Sequence, residues 1–371
     1  MSTTELDVSA LGRLTPLGSG GTATVYFVPD LQLPEFPGER FVYKKYNDRT
    51  IRLAGQALGH GLTNFVQFRD RLPEEQQRAW DARIIWPVAV VKNRGGAAEG
   101  IIMRLIPDRY FHDFKKREGG VNRKPREIET LFGDTETALR KGLPDVQLHT
   151  RLQLLRAIAG GYAMMHKENV VLGDISGRNI IYDPDPKQPS IMVVDVDSAR
   201  VKGNRATFGI QPHTPNWQPP EALRASAELE RGKAARPPMS VDAQNRLHNL
   251  WSIQSVKTDV YKFGLMTVRI LDYGRGCAVN RNPAKARRIL VSRLGNAAGG
   301  LLDASMAPDP NDRPTMREWY LLFQGGGAAN GNKPIVQQQP STKPAPALPD
   351  GYRRGNWQWK AGKGWVRVAR P

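Results

Sequence analysis

Asp174, Asn179 and Asp195 stand close together in residues 170–200, VVLGDISGRNIIYDPDPKQPSIMVVDVDSAR. Two carboxylates and an amide offer hard oxygen atoms of the kind that Mg²⁺ takes as ligands. Phosphoryl transfer asks for such a metal and for a carboxylate beside the attacking hydroxyl, since the protein otherwise contributes positioning and charge neutralisation. A plainer reading exists for each residue, because an Asp after a strand is a common turn former. Upstream, Lys44 lies inside the run Arg40-Phe41-Val42-Tyr43-Lys44-Lys45-Tyr46 and supplies a cation. Leu17-Gly18-Ser19-Gly20-Gly21-Thr22-Ala23-Thr24-Val25-Tyr26 is a small-residue turn entering an apolar strand. Backbone of that kind can close over phosphates, donating N–H groups where a Cβ would clash.

Apolar patterning shows which elements must position these groups. Residues 179–182 and 191–194 are apolar runs joined by a Pro/Asp-rich turn, which predicts a hairpin gathering Asp174, Asn179 and Asp195 into one cleft. Alternation along residues 40–46 puts Lys44 on the face of Val42, with Lys45 pointing the other way as the fallback. Residues 50–81 read as helix, with Leu62, Phe65, Val66, Phe68 and Leu72 on the apolar side and Pro73 starting a second segment. Residues 85–92 and 100–106 read as strands around the turn Asn93-Arg94-Gly95-Gly96. Residues 108–145 are charged and Gly/Pro-bearing, and are expected to form a mobile connection or an insert. Residues 149–167 form an amphipathic helix with Leu152, Leu155, Ile158, Ala159, Tyr162 and Met165 at helical spacing. His166 ends it as a helix-terminal residue rather than a base.

In this order the pieces resemble the protein kinase family, as a divergent bacterial member of its eukaryotic-type Ser/Thr branch. Asp174-x-x-x-x-Asn179 and the strand ending in Asp195 are similar to its catalytic loop and metal-binding Asp. Gly18, Gly20 and Val25 match the G-x-G-x-x-G-x-V loop, with Ala23 at the third glycine. The resemblance implies that Asp174 is the catalytic base, that Lys44 holds phosphate and that Asn179 and Asp195 bind Mg²⁺. It further implies that Gly18, Ser19, Gly20, Val25, Val42 and Lys44 contact ATP. Met103, Arg104, Leu105 and Ile106 would do so from the connection between lobes. Thr214-Pro215-Asn216-Trp217-Gln218-Pro219-Pro220-Glu221 resembles the A-P-E end of an activation segment, and Arg313 in Asn311-Asp312-Arg313-Pro314-Thr315 would be the cation paired with Glu221. Lys257-Thr258-Asp259-Val260-Tyr261-Lys262-Phe263-Gly264 resembles the start of the central helix, with Thr258 as its cap and Asp259 bracing the catalytic loop.

Departures from the pattern are specific. Leu172-Gly173-Asp174 stands for H-R-D and Asp195-Val196-Asp197 for D-F-G. Gly173 replaces the arginine that would read a phosphorylated activation loop. Ser176 takes the usual lysine position and leaves Arg178 as a substitute contact to phosphate. No helical glutamate is placed to pair with Lys44: Gln67 occupies the middle of the helix, and Glu74 and Glu75 come late. The implied fold is α+β and two-lobed, protein-kinase-like, with a small β-rich N-lobe over residues 11–106 and a larger helical C-lobe over 107–324. A linker over 325–350 and a short C-terminal β-hairpin-like tail over 351–371 follow.

A length of 371 residues with 40% hydrophobic and 24% charged content suits a globular protein with a packed core. There is no apolar run long enough for a membrane span and no secretory pattern in MSTTELDVSALGRL. A single cysteine, Cys277, excludes an intramolecular disulfide, so a cytoplasmic setting is expected. The net charge of +18 is spread along the chain, which argues against a dedicated nucleic-acid binder. Only the tail concentrates it: Arg353, Arg354, Lys360, Lys363, Arg367 and Arg370 alternate with Trp357, Trp359 and Trp365. That pattern suits an acidic or nucleic-acid partner, or a hairpin folded back on the body. The leading expectation is an ATP- and Mg²⁺-dependent Ser/Thr kinase acting on a protein substrate. A nucleotide-binding pseudokinase scaffold, a small-molecule phosphotransferase of the same fold and a nucleic-acid-associated protein are the alternatives.

Overall fold

The computed structural model describes residues 4–201, 207–208, 211–325, 353–354, 357–360 and 364–367. The chain divides into two units, Met1–Ala328 and Ala329–Pro371. The first unit is mixed α and β, with a β-rich N-terminal part and a helical C-terminal part. Its large sheet contains β1 (Glu5–Asp7), β2 (Thr15–Ser19), β3 (Ala23–Val28), β4 (Phe41–Tyr46), β5 (Pro87–Lys92) and β6 (Ala98–Arg104), in the order β1-β5-β6-β4-β3-β2. β1 runs parallel to β5 and the other neighbours are antiparallel. The expected boundary at residue 11 therefore moves back, because Glu5 already pairs with Val90.

β4 lies inside the sheet, so its side chains are buried on both faces. Phe41 and Tyr43 join Leu11, Val28 and Val88 on one side. Tyr46 joins Leu58, Leu62 and Val66 on the other. These last three belong to α2 (Ala57–Asp70), which follows α1 (Asp48–Ala54) and precedes α3 (Glu74–Asp81). Lys44 is on the α2 side and only 8% exposed, so it is not a solvated surface lysine.

Residues 108–145 are not an unstructured connection. They form the hairpin β7 (Phe111–Lys115) and β8 (Val121–Pro125), then α4 (Thr135–Arg140). The strands FHDFK and VNRKP are buried on neither face, so they lack the alternation that marks a half-buried strand. Ion pairs of Arg123 with Asp108 and Asp113 accompany the backbone pairing instead.

The helical part starts with α5 (Leu148–Lys167), whose Leu154, Leu155, Ile158, Tyr162 and Met165 are buried. β9 (Val170–Val171), β10 (Ile180–Asp183), β11 (Ser190–Val193) and β12 (Arg200–Val201) follow, with β10 against β11 and β12 against β9. After α6 (Pro220–Ala234) and α7 (Val241–Ser252) comes α8 (Val256–Leu271), which is buried along nearly its whole length. Its cap is Ser255 rather than Thr258: the Ser255 hydroxyl accepts from the Thr258 N–H, and the Thr258 hydroxyl accepts from the Ser255 N–H in return. α9 (Ala284–Leu294), α10 (Asn296–Ser305) and α11 (Met316–Gly325) complete the unit. Arg313 and Glu221 form a buried bidentate pair at 2.8 and 2.6 Å, the pairing that the resemblance implied.

In the second unit, β13 (Arg353–Arg354), β14 (Trp357–Lys360) and β15 (Gly364–Arg367) form a three-stranded antiparallel sheet with Trp359 opposite Trp365. The expected hairpin thus has a third strand. The expected linker, apart from Gly325, lies outside the described residues.

Candidate active site

Opposed residues of an antiparallel ladder share a face. The register sets Gly18 against Val25, Val25 against Lys44 and Lys44 against Ile101, while Val42 faces Met103. Val25, Val42, Lys44 and Met103 therefore line one side of the sheet. Met103, Ile106 and Val194 pack onto Ile85, Tyr110, Ile181 and Met192, which seats the β10–β11 hairpin under that side.

The hairpin brings three of the expected residues together. The Val194 N–H donates to the Asn179 carbonyl at 3.0 Å, so Asn179 sits beside the strand end that leads into Asp195. Asn179 Nδ2 donates to the Asp174 carbonyl at 2.6 Å. Its Oδ1 is a hard oxygen left without a partner among the described residues. Asp195 has the left-handed backbone, φ 58°, that an Asp tolerates better than most residues.

Lys44 Nζ binds Asp195 through a short contact and Asp197 Oδ2 at 2.8 Å. Asp197, which stands where the resemblance places a glycine, also accepts from the Tyr46 hydroxyl at 2.8 Å and is buried. Burial alone would lower the Lys44 pKa, but Asp197 and Asp195 outweigh it and hold the ammonium above its usual value. Burial would raise Asp197, yet Lys44 and the two hydrogen bonds hold it below the ordinary carboxylate value. Asp195 moves the other way. Its side chain keeps 53% of its surface open, but the protein packed around it and the Asp197 charge raise its pKa despite Lys44.

No glutamate of the helical segment reaches Lys44. α2 contains none, Glu74 pairs with Arg78 in α3, and Gln67 accepts from Arg71. The second acidic partner of Lys44 is Asp197, which sequence reasoning set aside as a substituted glycine. A signal was present, since Asp197 is two residues beyond Asp195 as Tyr46 is two beyond Lys44.

Asp174 is held from below. Asp259 accepts from the Leu172 and Gly173 N–H groups at 2.9 and 3.0 Å, and His166 Nε2 lies 3.1 Å from the same carboxylate. Lys262 donates to the Gly173 carbonyl and to Gln254; burial depresses its pKa to about 8. The Thr214 hydroxyl donates to Asp174 Oδ1 at 2.7 Å, a contact not foreseen from sequence. Gly173 has φ 71°, and a Cβ there would meet Gln211 Nε2 at 2.5 Å. Only glycine suits that backbone and that space, which is why no arginine stands there.

The other expected residues have the following surroundings. Gly20 N–H already donates to the Ala23 carbonyl at 2.8 Å, and Ser19 bonds Thr24 through their hydroxyls. The space beside Gly18 and Gly21 is open, with nothing within 4 Å of a built Cβ. Leu105 N–H donates to the Arg40 carbonyl at 2.7 Å and so is occupied. Arg104 turns its guanidinium to the Asp81 carbonyl and carboxylate. Ile106 makes no backbone hydrogen bond among the described residues. Arg178 is tied to Glu129 at 3.0 Å rather than standing free for phosphate.

Among the described residues no three His, Cys, Asp or Glu side chains form a metal cluster. Mg²⁺ commonly takes one or two carboxylates and completes its shell with water and substrate phosphates, so the Asp195 and Asn179 oxygens fit its chemistry. Neither known protein-family models nor curated proteins match this chain.

Proposed function

We propose that the chain is a protein-kinase-like phosphotransferase of two lobes that moves the γ-phosphoryl group of ATP to a protein Ser or Thr hydroxyl. One observation carries the reading. A buried strand lysine, Lys44, meets Asp195, while Asn179 links the strand end before Asp195 to the backbone of Asp174. Lys44 and Asp197 bind and orient: the pair holds the ammonium charged and aimed under the glycine turn. Val25, Val42 and Met103 offer an apolar wall, and Ile106 offers free backbone groups at its edge. Mg²⁺, held through Asp195 and Asn179, would neutralise phosphate charge. Asp174, steadied by Thr214 and by the Asp259 brace, is placed to take the proton of the attacking hydroxyl.

Transfer of label from γ-labelled ATP to the chain or to a generic protein acceptor tests the reading, with Asp174→Ala as the control. A nucleotide-binding scaffold without transfer is the second reading, favoured because Lys44 occupies Asp195. ATP- and Mg²⁺-dependent stabilisation with no transfer to protein or small hydroxyl acceptors would select it. The single buried cysteine and the absence of a membrane-crossing helix among the described residues are compatible with a cytoplasmic setting.

A further inference from the structure

α5 buries one face and leaves part of the opposite one uncovered. Arg156, Gly160, Met164 and Lys167 recur at helical spacing along it and line a groove of about 1260 Å³ bounded by α3, α11 and the β10–β11 turn. The composition of the groove is one-sided. Arg83, Arg156, Lys167, Lys187, Lys257 and Arg317 stand around it, and Glu318 is the acidic residue in its wall. The Glu318 carboxylate is engaged by the Thr315 N–H and hydroxyl at 2.7 Å. Lys257 donates to the Arg313 carbonyl and Arg83 to the Ala79 carbonyl. The side chains of the other four have no hydrogen-bond partner, and none of the six has an ion pair, among the described residues. Unpaired like charges around a concavity focus a positive potential into it.

The geometry points to this groove as the docking site for an acidic polypeptide segment of a partner protein. Its floor is aliphatic and small, with Ala157, Ala163 and Met164, and suits short apolar side chains set between carboxylates. A single strand of nucleic acid would need aromatic platforms. Tyr320 is the aromatic residue in the wall, and its ring is packed onto Gly160, where a Cβ would meet Cε2 at 2.9 Å. A duplex is read by an element protruding into its groove, not by a concavity. The tail of this chain is the wrong occupant, since residues 351–371 contain no Asp or Glu and many cations. His166 also lines the groove and contacts Asp259, which holds the backbone just before Asp174. A bound segment thus lies one side chain away from the support of the candidate active site, although the docking itself does not depend on phosphotransfer.

Fluorescence anisotropy on the full chain, with a fluorescein-labelled peptide of Glu-Glu-Leu repeats, tests this. Arg156→Glu with Lys167→Glu should weaken binding about tenfold at physiological salt, since each reversal replaces an attraction with a repulsion. Reversing the exposed Arg246 and Arg293, on α7 and α9, should change it less than about twofold, because neither lines the groove and exposed charges are screened by salt. Lys187→Glu with Arg317→Glu, on a turn and a different helix, repeats the test should the first pair disturb folding, which the melting temperature reports. Equal losses in the groove and control variants, or no binding by the unaltered chain, would overturn the proposal. Displacement of the peptide by oligothymidylate through the same residues would also overturn it and assign the groove to nucleic acid.

Discussion

Replacing Asp197 with Asn removes a charge while keeping a shape. The amide oxygen can still accept the Tyr46 hydroxyl bond, now 2.8 Å long. The negative charge 2.8 Å from Lys44 Nζ is lost, and Lys44 retains only Asp195, whose side chain is 53% open to water. Removing one partner of a fully buried pair costs about 3–5 kcal/mol. The surviving Asp195 contact and the retained hydrogen bond bring this variant to about 2–3 kcal/mol. At about 2 °C per kcal/mol for a folding unit of this size, the melting temperature should fall by about 4–6 °C. The sign of the pH dependence follows from the two shifts. Asp197 is held below the ordinary carboxylate value of 3.8, so its contribution is present above that pH and is lost as pH falls through the folded value. Lys44 is held above 10.5, so its contribution is complete below that pH and fades only as pH rises through the folded value. Asp195 is raised partly by the Asp197 charge, so the substitution also relieves Asp195 and moves its pKa down. The difference between the two proteins should therefore stay flat from about pH 6 to about pH 9 and shrink only near the acid limb. Scanning calorimetry across that range measures it. A melting temperature within about 1 °C of the parent, or a difference that disappears near pH 7, would refute the claim that a charged Asp197 holds Lys44.

Asp195→Asn should abolish Mg²⁺-dependent stabilisation by ATP, and Asp197→Asn should only weaken it, because the Asp195 side chain is open to solvent whereas that of Asp197 is buried; thermal shift with and without Mg²⁺ distinguishes them. Asp174→Ala should leave nucleotide affinity within a few-fold and remove phosphoryl transfer, since a base acts in the chemical step and touches only the acceptor; titration calorimetry and label transfer check the two halves. Gly173→Arg, which introduces the residue that the resemblance to protein kinases would place there, should destabilise the chain by about 2–4 kcal/mol, through a left-handed backbone and overpacking. The Cβ contact with Gln211 at 2.5 Å is the cause, and a urea midpoint unchanged from the parent would contradict it.

What was legible in the sequence depended on burial. β4 and α5 carry one or two buried faces, and their apolar periods marked their place and type. The Glu221 and Arg313 pair and the Asp259 brace were expected from motif resemblance alone, and burial explains why each charge needs its partner. β7 and β8 were not readable, since their side chains are half-buried or exposed on both faces and leave no period to see. The partners of Lys44 were half readable. Asp195 ends an apolar strand and drew attention, whereas Asp197 lies beyond it in a turn and reaches Lys44 only because β11 is seated under the sheet by contacts far apart in sequence. That placement changes the chemistry of the site. A lysine steadied by a helical glutamate depends on where the helix sits, whereas Lys44 is steadied by Asp195 and Asp197, two carboxylates of one short segment. Both ion pairs of the Lys44 ammonium thus come from one short stretch, residues 195–197, and whatever displaces that stretch removes both together.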